Sequence, residues 1–407
     1  MPQSHRPRVK GSLEDLAHFG GPPLFTSPLH VGRPHVGTHA HFQARMDRAW
    51  ASRWLTNDGP LVQELESRLA GFLGVPHCVA MCNATAALQL LLRASGVTGE
   101  VIVPSFTFVA TAHAVAWQGL VPVFADIDPN THNLDPADVA RRITSQTSAI
   151  IGVHVWGRPA PVEALGALAR THGLRLFFDA AHAFGCSIGG RRIGGFGDAE
   201  VFSFHATKVF NTFEGGAVTT ADPHLAATLR SLRNFGFSDF DRTDMLGTNA
   251  KMSEASAAMG LTSLESFPAF VAENRRHYDA WARGLAGIPG ISLIPFDPAH
   301  DNNYHYAVAV LSPEFALHRD TLWNLMLAEG ILARRYFWPG CHRMAPYNAA
   351  PQTLPHTEQL SARVLCLPSG GDLPDESIDA VCALIAFAQA HAPAIDERLL
   401  TLTSASR

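Results

Sequence analysis

Residues 174–182 read Leu-Arg-Leu-Phe-Phe-Asp-Ala-Ala-His, and residues 201–208 read Val-Phe-Ser-Phe-His-Ala-Thr-Lys. The first is an apolar strand that ends in a carboxylate, Asp179. The second is a short apolar strand followed four residues on by an amine, Lys208. In open α/β sheets ligands bind beyond the C-terminal ends of the strands, so both charged groups fall where chemistry is expected. Other readings compete: aspartate is also a favoured helix N-cap, and any loop can carry a surface lysine.

Composition weighs against the surface-lysine reading. Lys and Arg together number 31, and the only lysines are Lys10, Lys208 and Lys251, leaving 28 arginines. A general drift toward arginine replaces lysine wherever positive charge suffices. It does not replace a lysine whose amine must bond to an aldehyde, because guanidinium does not do so. Each of the three lysines is therefore a candidate for covalent chemistry.

Working outward, short apolar runs alternate with helical patterns. Strands are expected at Cys78–Met81, Val101–Val103, Val121–Phe124, Ala149–Val153, Leu174–Phe178, Val201–Phe204 and Ala217–Thr220. Helices are expected at His41–Trp54, Ala84–Ala94, Phe108–Trp117 and Pro161–His172. This pattern predicts an α/β domain with a mostly parallel sheet covered on both faces. Asn249–Leu285 reads as one long helix broken at Pro268. Beyond it, strands at Tyr304–Val310 and Ile331–Arg334 and helices at Arg319–Glu329 and Asp375–Ala390 predict a smaller α+β domain. The expected organisation is an N-terminal arm over 1–40, a large domain over 41–285 and a small C-terminal domain over 286–407.

The chain has 407 residues, 47% hydrophobic and 16% charged, with a formal net charge of −5. These values exclude a disordered or coiled-coil chain and lack the basic field of a nucleic-acid binder. The uncharged stretch Val101–Ala125 is cut by Pro104 and Pro122, so it reads as buried strand–helix–strand and not as a membrane span. The first 20 residues hold no apolar secretory core. Six scattered cysteines suit reduced thiols in a cytoplasm. The glycine-rich nucleotide motifs, H-E-x-x-H and G-x-S-x-G are absent.

A strand-end aspartate 29 residues before a rare lysine matches what pyridoxal phosphate requires. Its aldehyde needs an amine, and its ring nitrogen needs an anion that keeps it protonated. Its phosphate needs hydroxyls and N–H groups, ideally at a helix N-terminus. Asn83-Ala84-Thr85-Ala86 opens an expected helix, with Ser203 as a second donor. Phe106 and Phe108 are candidates to stack on the ring.

Together these segments are identified as those of a member of the DegT/DnrJ/EryC1/StrS family of sugar aminotransferases, which have the fold-type I architecture of aspartate aminotransferase. The matching pieces are Trp54-Leu55-Thr56-x-x-Gly59-Pro60, Asn83-Ala84-Thr85-Ala86-Ala87-Leu88, Pro104-Ser105-Phe106-Thr107-Phe108-Val109-Ala110-Thr111 and Val153-His154-x-x-Gly157. Asp179-Ala180-Ala181-His182, Ser203-Phe204-x-x-x-Lys208, Glu214-Gly215-Gly216 and Asn249-x-x-Met252-Ser253 follow in order. The resemblance spans roughly Phe19 to Ala390.

The resemblance implies that Lys208 bonds the cofactor, Asp179 pairs with its ring nitrogen, His182 contacts its ring hydroxyl and Phe108 stacks on it. Ala84, Thr85 and Ser203 would hold the phosphate. Asn249 would reach the neighbouring subunit's phosphate, which implies a homodimer with shared sites. Thr56, His154, Glu214, Arg334 and His342 are candidates for substrate contact. Many members carry Gln in place of His182 and Gly in place of Ala84, which bears on the subgroup. Lysine at 208, where related dehydratases carry His, implies transamination from L-glutamate to a nucleotide-linked keto-sugar, a dTDP-4-keto-6-deoxyhexose by subgroup. Competing readings are another ketone, such as a keto-cyclitol or natural-product intermediate, and a pyridoxal-binding regulator without turnover.

The remaining signals point to structure. His35, His39 and His41 lack a helical register and nearby carboxylates, so they do not read as a metal site. Trp156 and Phe196 read as core or interface. Arg334 and Arg335 alternate along a strand, so one at most faces a site.

Overall fold

A computed structural model describes residues 10–349 and 352–405. Seven strands form the central sheet: β1 (His77–Met81), β2 (Glu100–Pro104), β3 (Val121–Ala125), β4 (Thr147–Val153), β5 (Arg175–Asp179), β6 (Ala199–Ser203) and β7 (Gly216–Thr220). Their order is β1-β7-β6-β5-β4-β2-β3. All neighbours from β6 to β3 run parallel, and β7 runs antiparallel to both β1 and β6. Successive side chains divide between two cores. Ile102, Ile150, Phe178 and Phe202 join one, and Val101, Ile151, Phe177 and Val201 join the other. The period of two places these cores on opposite faces, which is why the strands read as unbroken apolar runs.

The helix expected over Asn249–Leu285 begins at Glu254, with the Ser253 hydroxyl capping the Ser256 N–H, and runs unbroken through Pro268 to Leu285. The proline forfeits one backbone hydrogen bond, but Phe267 and Phe270 beside it are buried, and this packing keeps the helix whole. Its first half feeds a core of the large sheet; Ala280, Trp281 and Leu285 feed the core of the smaller domain. That domain holds an antiparallel sheet of β8 (Ile291–Leu293), β9 (Ala307–Leu311) and β10 (Val364–Leu367). The strand expected from Tyr304 thus starts three residues later. The helix expected from Phe108 starts at Ala110, which leaves Phe108 outside it. Among the described residues no single helix is long and apolar enough to cross a membrane.

The described part of the N-terminal arm is tied down. Leu16 is buried in the smaller domain's core, and Leu29–His30 pairs in parallel with Ile331–Leu332. Lys10, a candidate for covalent chemistry by its rarity, is a structural cation here. Its amine lies 2.8 Å from Glu329 and donates to the carbonyls of Asp15 and Pro22. Glu329 also accepts from the N–H groups of Ala17 and Leu24. Breaking one side of a buried ion pair costs about 3–5 kcal/mol. Glu329→Ala is therefore expected to destabilise the chain by that order in chemical denaturation and to open residues 10–25 to limited proteolysis.

Candidate active site

The C-terminal ends of β4, β5 and β6, the start of β7 and the N-terminus of helix Ala84–Ala94 surround a cavity of about 360 Å³. Asp179 ends β5 and is 6% exposed. One carboxylate oxygen accepts from the Thr111 hydroxyl at 2.8 Å, and the other from the Ala181 N–H at 3.1 Å. No helix begins behind it, so the N-cap reading falls away. Burial pushes its carboxyl above the usual range, against the pull of Thr111, Ala181 and Lys208. Such a carboxylate is short of a cation.

Lys208 lines the same cavity. Burial pulls its amine down to about 8, and the charge of Asp179 holds it up. His182 accepts the Trp156 N–H on Nδ1 at 3.2 Å. Burial, with Lys208 and His305 nearby, keeps it neutral. The bond to Nδ1 leaves the proton on Nε2, as a donor.

The phosphate-sized end is built by Asn83, whose side chain caps the Ala86 N–H at 2.8 Å. The N–H groups of Ala84 and Thr85 have no intrahelical partner. A Cβ on Gly216 would sit 2.6 Å from the Ala84 nitrogen, so this cradle requires glycine. Ser203 and Glu214 line the cavity, and Phe108 lines it while 54% exposed. Phe106, the other stacking candidate, is buried edge-on against Trp156 and Phe337.

Of the arginine pair, Arg334 faces the cavity. Arg335 is taken by Asp320 at 2.9 Å and by the Trp323 ring.

Several candidates lie elsewhere. His154 is fully buried, bonded to Glu200 at 3.1 Å and to the Ala160 N–H, and stacked on Phe178. The family resemblance made it a candidate for substrate contact, but its ring is taken up in the core behind the sheet. His342 is held between Ser105 and Glu358. Thr56 and Asn249 are exposed and outside their own chain's cavity.

The structure adds residues that sequence reasoning left without a role. Tyr306 and Phe337 of the smaller domain close the cavity, and Thr111 supports Asp179. Tyr306 was hidden inside an expected strand. The Pro104–Thr111 segment contained Thr111, but nothing in the pattern marked it as a carboxylate partner.

An amine and a buried carboxylate facing one cavity, with an anion-ready helix N-terminus at its end, define a fold-type I pyridoxal-phosphate enzyme, and the residues present fit that cofactor. The comparisons with known proteins agree. The DegT/DnrJ/EryC1/StrS aminotransferase family model matches residues 38–386. The chain is 35% identical over 362 residues to dTDP-4-amino-4,6-dideoxy-D-glucose transaminase of Escherichia coli, covering 87% of this chain and 97% of that one. It is 35% identical over 351 residues to dTDP-4-dehydro-2,3,6-trideoxy-D-glucose 4-aminotransferase of Saccharopolyspora spinosa, covering 82% and 90%. The crystal structure of DesI, solved in the presence of its TDP-sugar product, superposes with a TM-score of 0.92 at 52% identity, covering 95% of this chain and 99% of that one. The chain belongs to the DegT/DnrJ/EryC1/StrS aminotransferase family.

A side chain at Gly216 displaces the first turn of helix Ala84–Ala94. Gly216→Ala is expected to weaken pyridoxal phosphate about tenfold, about 1.4 kcal/mol, measured by cofactor titration, with the fold checked by circular dichroism.

Proposed function

We propose that the chain moves the amino group of L-glutamate onto a nucleotide-linked keto-sugar of the dTDP-4-keto-6-deoxyhexose class. The observation that carries this reading is the placement of Lys208 and Asp179 in one cavity. Pyridoxal phosphate, when bound, supplies an aldehyde carbon that carries the amino group and a ring that takes up the electron pair left by a departing proton.

The chain's own residues do the rest. Asp179, held by Thr111 and Ala181, would keep the ring nitrogen protonated. The N–H groups of Ala84 and Thr85 and the Ser203 hydroxyl would hold the phosphate, with Phe108 as the stacking residue. His182 would offer its Nε2–H to the ring hydroxyl. With its amine pulled down to about 8, Lys208 has an unprotonated fraction near neutral pH. In the donor half-reaction it takes the α-proton and delivers it to the second carbon within that same half-reaction, and in the acceptor half-reaction it moves a proton in the reverse sense, onto the sugar carbon that receives the amine.

Substrate contacts fall to Glu214 and Arg334 at the cavity wall; the Arg334 guanidinium suits the anionic groups that both substrates carry. The names of the relatives, transaminases and aminotransferases of dTDP-linked sugars, support the acceptor class. A homodimer accounts for two surface features. Phe235, Phe237, Phe240, Met245 and Leu246 are exposed apolar residues within one short stretch of sequence, which a partner would cover. Asn249, beside that stretch, then serves the other copy's cavity.

The visible spectrum of the cofactor-loaded enzyme tests the reading. L-Glutamate is expected to bleach the yellow band with release of 2-oxoglutarate, and a dTDP-4-keto-6-deoxyhexose is expected to restore it. Lys208→Ala should show neither change. A yellow wild-type enzyme that glutamate leaves unaltered overturns the proposal.

A further inference from the structure

Among the described residues, the one hydrogen bond of the Lys208 amine is to a phenol. Its Nζ lies 3.2 Å from the Tyr306 hydroxyl oxygen and 5.7 Å from the centre of that ring. Tyr306 comes from the smaller domain, immediately before β9, and is 4% exposed. Its ring is wedged between His182 at 4.7 Å and His305 at 4.4 Å. The hydroxyl therefore has little freedom to leave the amine.

Each group facing Lys208 has a definite charge. Asp179 is the anion. His182 and His305 are both held well below the usual imidazole range by burial and by Lys208 itself, so they stay neutral. Burial, helped by Tyr336 and Cys366, pushes the Tyr306 phenol well up, so it keeps its proton. Arg334 and Tyr336 complete the wall. Tyr306 is thus a neutral group with an oxygen lone pair turned to the amine, and neither buried histidine competes with Lys208 for a proton.

We propose that Tyr306 is a positioning residue for the proton transfer, its hydroxyl oxygen receiving a hydrogen bond from Lys208 while Lys208 carries the proton. This rests on the aminotransferase reading above. The proton leaves the α-carbon of the donor, converts the Lys208 amine to an ammonium and is then delivered to the carbon that accepts it. The Tyr306 O–H bond is neither broken nor formed. A hydrogen bond from an ammonium is roughly twice as strong as one from a neutral donor, so Tyr306 favours the proton-bearing state over the resting amine. It also limits the rotation of a long side chain that must return the proton to a second atom.

The scarcity of lysine makes the test direct. In the glutamate-treated enzyme Lys208 is a free amine, and labelling with acetic anhydride across a pH series, read by mass spectrometry, reports its pKa beside only two other lysines. Tyr306→Phe is expected to lower that pKa by about half to one unit. It is also expected to slow the glutamate half-reaction by about tenfold to a hundredfold and to raise the isotope effect with 2-deuterated glutamate. The KM for glutamate and cofactor retention should hold. Tyr306→Gln keeps an acceptor oxygen and should restore part of the pKa and the isotope effect. If thermal unfolding shows that the Phe variant does not fold, Gln against Leu at this position makes the same comparison. A variant without the acceptor but with wild-type pKa and isotope effect overturns the proposal while leaving the aminotransferase reading intact. A wild-type enzyme inert to glutamate overturns both.

Discussion

Asp179 is a carboxylate taken almost entirely out of water, and a charge so placed must be held by its surroundings. The Thr111 hydroxyl and the Ala181 N–H each hold one oxygen. Thr111 is itself hydrogen-bonded to Thr107 at 3.0 Å. This chain of contacts accounts for the short helix beginning at Ala110, after the segment 104–109 has bent over the sheet. That bend leaves Phe108 half out in solvent above the cavity. The amine of Lys208 is the remaining compensation, and the parallel pairing of β5 with β6 brings it near. One desolvated charge thus constrains a loop, a helix start and the path of the chain after β6.

The large domain was legible because its signals are local. Apolar runs of strand length bounded by glycine, proline and aspartate need no long-range knowledge, and the strand-end carboxylate and rare lysine stand out by chemistry alone. The walls were illegible for the opposite reason. Tyr306 and Phe337 reach the cavity only because the smaller domain packs over the larger. Their core neighbours Phe106, Val153 and Trp156 lie more than 140 positions away in sequence.

The candidates outside the cavity have physical reasons for their places. His154 follows the last residue of β4, and its ring turns onto Phe178 and Glu200, where it pairs with a buried carboxylate. Asn249, expected at the neighbouring subunit's cavity, and Thr56 sit on the surface of the single chain. The rarity of lysine drew attention to Lys208, which lines the cavity. It misjudged Lys10, whose compact ammonium satisfies two carbonyls and a carboxylate at once, a geometry that a planar guanidinium fits poorly.

The pairing of Leu29–His30 with Ile331–Leu332 has a consequence for how the molecule is made. The arm leaves the ribosome well before its partner strand, which follows roughly 300 residues later. Between these events the whole large sheet can be completed, since its strands lie within 77–220. Gly32, at φ +71, then has to be laid against the Thr207 carbonyl, where a Cβ would sit 2.7 Å from that oxygen. The loop beside Lys208 therefore receives its last neighbour only after most of the chain has been synthesised. Such distant closures are the slow part of folding. Completion of the site's surroundings accordingly follows synthesis of every strand of the large sheet.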